Sequence, residues 1–155
     1  MSAMFDPAQF LDATTTDAGS TESVPIPEGE YVALIKTITP RQWTKKDDPT
    51  ISGLVFDLLY EIDDADLKAR LERKVVTIKQ GIMMDMTDGG SIDYGKGKNI
   101  TWNRVRDAAG LNQPGRPFSP SMLVGQFVKI RVGHRIDDST VPAVIRADVK
   151  GTARP

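Results

Sequence analysis

Cysteine is absent from the 155 residues, so neither disulfides nor thiolate metal sites hold this fold, and nothing points to an oxidising compartment. No segment approaches the roughly 18 apolar residues of a membrane span, and residues 1–10 have neither the basic start nor the apolar stretch of a signal peptide. A cytoplasmic setting is expected. Histidine occurs once, at His134, which leaves few groups for nucleophilic or metal chemistry. Lysine and arginine are missing from the first 30 residues, where Asp6, Asp12, Asp17, Glu22, Glu28 and Glu30 give a net −6. The rest of the chain sets all 20 basic residues against the remaining 15 acids, a net +5. A mildly basic body with an acidic arm suits a domain that meets a polyanion while its arm competes for that surface or recruits a partner. An ordinary solvated surface with an uneven terminus has the same balance.

The length fits one domain. Residues 11–25 (LDATTTDAGSTESVP) are rich in Thr, Ser, Ala and acid and bury too little apolar surface to offset ordering, so residues 1–26 read as a flexible acidic arm. Met4, Phe5, Phe10 and Leu11 form a short apolar segment within it, suited to docking on this molecule or a neighbour.

From Pro27 onward, alternating apolar runs bounded by Gly, Pro and Asp predict strands at Glu30–Ile38, Gly53–Ile62, Arg73–Gln80, Gln126–Arg135 and Ala143–Lys150. The first ends at Pro40, and Arg41–Thr50 reads as a polar loop. Asp63–Glu72 reads as a short helix or turn, and Ser121–Leu123 as a single turn. Gly81–Lys98, with Gly89, Gly90, Gly95 and Gly97, is too glycine-rich for a regular element. Asn99 is placed as N-cap of a helix over Ile100–Ala109 that Gly110 closes. The expected fold is mainly β: a five-stranded OB-like Greek-key barrel over 27–151, with one helix between strands 3 and 4, a disordered acidic N-terminal arm and a short tail at 152–155.

Catalytic constellations are not apparent, and the chain reads as a non-enzyme without a cofactor or metal. His134 stands in register with Val128, Ile130 and Val132 and is expected to end a core-facing row. The acids Asp63, Asp64 and Asp66, and Asp137 with Asp138, lie where Asp commonly initiates turns. Gly90–Gly97 (GSIDYGKG) approaches a phosphate-binding loop, but Gly97 stands where the magnesium-binding hydroxyl is required. Trp102, at helical spacing from Val105 and Ala109, is assigned to the core.

Basic and aromatic residues recur together in three places: Trp43 with Arg41, Lys45 and Lys46; Tyr94 with Lys96 and Lys98; and Phe127 with Lys129 and Arg131, alternating with Val128, Ile130 and Val132. Lys79 closes the third strand. For any one such residue, the solubility of an outer strand face is explanation enough. Their combination on a small barrel favours single-stranded nucleic acid, whose phosphates attract cations while unpaired bases stack on aromatic faces.

The runs PEGEYVALI, GKNITWNRVRDAAGL, SMLVGQFVKIRV and VIRADVKG together resemble a phage-encoded family of small single-stranded-DNA-binding proteins, formerly a domain of unknown function. The resemblance spans roughly Pro27 to Gly151. It implies an OB-like fold that binds single-stranded DNA with little sequence preference during phage replication or recombination. Two features depart from that family: the extended Gly81–Gly97 connection, and a C-terminus without an acidic tip. Phosphates are then expected at Lys45, Lys46, Lys79, Lys96, Lys98, Lys129 and Arg131, and bases on Trp43, Tyr94 or Phe127. Expected partners are single-stranded DNA, replication or recombination proteins met through the acidic arm, and further copies of the chain. The competing expectations are a phage assembly protein whose arm docks on neighbouring copies and an anti-host inhibitor whose arm imitates DNA.

Overall fold

Apolar side chains at every second position give β2 (Ser52–Ile62) its inner face: Phe56, Leu58, Tyr60 and Ile62 are all buried. Both edges of β2 are occupied, by β1 (Gly29–Thr44) and by β3 (Thr77–Met83), and on its opposite face Val55 is buried as well. The first half of β1 also pairs with β4 (Phe127–Asp137), and β4 with β5 (Val144–Ala153). The result is one antiparallel five-stranded sheet in the order β3-β2-β1-β4-β5. Helix α1 (Ala65–Leu71) joins β2 to β3, and α2 (Ile100–Ala108) lies between β3 and β4. The structure, a computed structural model, describes residues 5–20 and 24–155.

The core draws on one face of each inner strand. Ala33 and Ile35 of β1 and Val128, Ile130 and Val132 of β4 are buried, while Val32 stays outside. A bulge between Ile35 and Thr37 shifts the alternation by one, so Ile38 also packs on the core; Ile35 and Ile38 share a face across a gap of three residues. Helix α2 adds Trp102, Val105 and Ala108, and α1 adds Leu67 and Leu71. Trp102 is fully buried, as its helical spacing predicted, and stacks on Phe56 with ring centroids 4.8 Å apart.

Several boundaries differ from the sequence expectation. β1 does not stop at Pro40 but runs on to Thr44, so part of the expected Arg41–Thr50 loop is strand. Lys45 N–H donates to Ile51 O, which directs the odd-numbered amides of this half-strand toward β2; Pro40 therefore has its nitrogen on the unpaired edge, where no donor is needed. β3 begins at Thr77 rather than Arg73, because α1 ends at Leu71 and Glu72, in the left-handed conformation, redirects the chain. Thr152 and Ala153, expected in the tail, pair with Ile130 and Lys129 as the end of β5.

The two outer strands face each other. Thr77–Lys79 of β3, Ile145–Ala147 of β5 and the segment Val24–Ile26 together line a cavity of about 270 Å³. Arg73 Nη2 donates to Val24 O at 3.0 Å, and His134 Nε2 donates to Ile26 O at 2.7 Å. Ile26, placed in the arm by sequence, is a core residue at 4% exposure. Residues 5–20 are exposed throughout; Pro7–Phe10 forms a 3-10 turn capped by Asp6, and the Phe5 and Phe10 rings meet at 5.4 Å. Met4 of the apolar segment, and Glu22 within the acidic arm, lie outside the described residues.

Candidate nucleic-acid interface

The alternation that buries Val128, Ile130 and Val132 turns Phe127, Lys129 and Arg131 outward on β4. Phe127 is exposed beside Leu34 of β1, and Lys129 lies opposite exposed Val32, so an apolar strip runs beside the cations. Arg131 reaches across β5, where its Nη2 donates to Lys150 O at 3.2 Å. It crosses beside Gly151, where even a Cβ would make only ordinary contact with the guanidinium, at 3.4 Å. Lys129, Arg131, Lys150 and Arg104 of α2 line a cavity of about 290 Å³ in which Glu30 is the one acid, 3.8 Å from Lys129 Nζ.

The glycine-rich connection has a defined course. Met86 and Ile92 form a bridge, Thr87 N–H donates to Ser91 O, and Gly90 takes the positive φ that this reversal needs. Asn99 holds the segment to α2. Its side chain does not cap the helix as sequence predicted, because the residue sits in the left-handed region and points back into the loop. There Oδ1 accepts from Asp85 N–H at 2.7 Å, and Nδ2 donates to Asp85 O at 3.0 Å and to Asp93 O at 2.8 Å. Asn99 is only 4% exposed, so these bonds satisfy an otherwise costly buried amide.

This anchoring presents Tyr94, Lys96 and Lys98 at a second cavity of about 480 Å³, lined on its helical side by Ile100, Asn103, Arg104 and one acid, Asp107, which lies 3.6 Å from Arg154 Nη2. Arg104 lines both cavities and so connects the loop group with the strand group. Sequence reasoning missed Arg104 and Lys150. Arg104 was within reach of it, since Trp102, Val105 and Ala108 mark the buried face of α2 and leave position 104 outside.

The other expected residues lie elsewhere. Trp43 belongs to β1 rather than to a loop and is half-buried against Gly53; Lys45 and Lys46 follow at the hairpin tip, and none of the three lines either cavity. Arg41 is committed to Asp57, with Nε at 2.8 Å, and this hydrogen bond holds the Asp57 carboxyl below the usual carboxylate range. Lys79 lines the seam between β3 and β5 with Arg73 and Arg146.

The acidic groups serve local structure. Asp63 pairs with Lys68, Asp64 caps α1 through Leu67 N–H, and Asp137 accepts from Ser139 and Arg146, which keep its carboxyl well below the usual range. Among the described residues, no three His, Asp or Glu side chains are grouped to hold a metal ion. No helix among the described residues is long and apolar enough to cross a membrane. Neither a family model nor a curated protein matches this chain.

Proposed function

We propose that this protein binds single-stranded DNA without reading its sequence, along a path from Tyr94, Lys96 and Lys98 over Arg104 to Lys150, Arg131, Lys129 and Phe127. The observation that carries the reading is the position of Arg104, shared by two cavities in which cations outnumber the single acid, with Tyr94 lining the first and Phe127 exposed on the same strand face as Lys129 of the second. Cations spaced along one surface suit a phosphate chain, and the rings at its two ends suit unpaired bases. Strand order, the helix between β3 and β4, and the facing of β3 and β5 support reading the sheet as an OB-like Greek-key barrel with Val24–Ile26 beside its seam. On this reading the acidic arm is a flexible competitor for the basic path or a docking segment for replication or recombination enzymes. The phage setting in the host cytoplasm follows from the family resemblance.

The test is fluorescence anisotropy of a labelled oligo-dT at several salt concentrations, with matched duplex as competitor, for the full chain and for a truncation starting at Val24. Preference for the single strand, with log affinity falling linearly in log salt concentration, supports the reading. Tighter binding by the truncation identifies the arm as competitor. Absence of binding by both forms overturns it in favour of an assembly role, which the exposed Phe5, Phe10 and Leu11 side chains would serve.

A further inference from the structure

A column of stacked groups runs outward from the core beneath the loop cavity. Phe56 stacks on Trp102, the Phe118 ring meets Trp102 edge-on with centroids 6.2 Å apart, and Arg106 lies 4.0 Å over the Phe118 centroid. The same guanidinium lies 5.5 Å over the Tyr94 ring. It is fixed in that place, because Nε and Nη2 both donate to Leu111 O, at 3.3 and 3.2 Å, while Leu111 N–H donates back to Arg106 O at 2.8 Å. The backbone beside Tyr94 is held as well: Asp93 N–H donates to Asp85 O, Asp93 O accepts from Asn99, and Asp93 Oδ1 accepts from Gly95 N–H. Arg106 covers one side of the phenol ring, yet Tyr94 keeps 55% of its surface exposed at the mouth of a cavity rimmed by Lys96, Lys98 and Arg104.

An exposed tyrosine on a glycine-rich loop ordinarily moves among rotamers, and a base that stacks on it must first immobilise it. Here that cost is met before the ligand arrives. We infer that Tyr94 is the stacking platform of a one-nucleotide subsite, with Arg106 as the positioning residue that holds its ring from behind. The inference rests on the proposed binding of single strands. Arg106 is occupied by two rings and a carbonyl, so it acts through Tyr94, while Lys98 and Arg104 meet the phosphates.

The decisive experiment measures affinity against salt for wild type, Tyr94→Ala, Arg106→Gln, Arg106→Lys and the Tyr94→Ala/Arg106→Gln double variant. Each is titrated with oligo-dT and with an abasic oligomer of equal length and charge, after thermal melts confirm folding. Phe118→Leu, which removes the plane beneath Arg106, replaces the Arg106 variants if they do not fold. Tyr94→Ala is expected to weaken oligo-dT binding roughly 5- to 150-fold. Arg106→Gln, Arg106→Lys and Phe118→Leu should weaken it roughly 2- to 10-fold, and Arg106→Gln should cost nothing further once Tyr94 is gone. On the abasic oligomer these differences vanish, and the salt slope stays at the wild-type value. A reduced slope for Arg106→Gln, full rescue by Arg106→Lys, or additive losses in the double variant would make Arg106 a phosphate contact and overturn the inference, with single-strand binding intact. Wild-type protein that binds neither oligomer overturns the binding function itself, and this subsite with it.

Discussion

Charge on the proposed path is distributed over residues that differ in what else they do. Arg131 already donates to Lys150 O, and Lys129 lies 3.8 Å from Glu30, whereas Arg104 stands between two cavities. A cation that neutralises one phosphate contributes about 0.7 to the salt slope of single-strand binding. Arg104→Gln is expected to lower the slope by that amount, Lys150→Gln, whose native ammonium lies 3.7 Å from Asp148 Oδ2, by less, and Lys45→Gln, at the hairpin tip, to leave it unchanged; anisotropy titrations at four salt concentrations check this. Phe127, Lys129 and Arg131 were legible in the sequence because strand alternation fixes which side chains share a face. Trp43 was misplaced because Pro40 looks like a terminator until the free edge it sits on is known.

Among the elements, β2 and α2 were the most legible, since each has its own period of buried residues. The connection between β3 and α2 was not, because its order comes from one buried side chain bonding to two distant backbone positions. Asn99→Ala removes those bonds and keeps the left-handed strain, so it should cost about 2–4 kcal/mol. Asn99→Gly loses the same bonds without the strain and should be about 1 kcal/mol less destabilised. Urea unfolding of both variants tests the difference, and equal losses would mean that the strain contributes little. Anisotropy with oligo-dT should weaken in both, because the backbone at Asp93 that places Tyr94 would no longer be tied down.

For the whole molecule, the decisive feature is the seam where β3 and β5 face each other around Val24–Ile26. Residues 5–20 of the acidic arm are exposed, while the far end of this segment is fixed by His134 Nε2 on Ile26 O and by Tyr31 OH on Pro27 O. A hydrogen bond of this kind is worth about 1 kcal/mol. His134→Ala should lower stability by about that much and expose the chain before Gly29 to earlier cleavage in limited proteolysis. A cleavage pattern identical to wild type would show that the seam holds the segment without the histidine. The sequence by itself determined a mainly β chain with an acidic start, a helix between the third and fourth strands and an outward basic row on β4, because alternation, helical spacing and charge are local properties. Only the tertiary structure decided that Arg104 joins two basic cavities, that Arg106 backs Tyr94 and that Ile26 closes the seam. Each of those contacts joins groups far apart in sequence or meeting across a turn, where no periodicity records them.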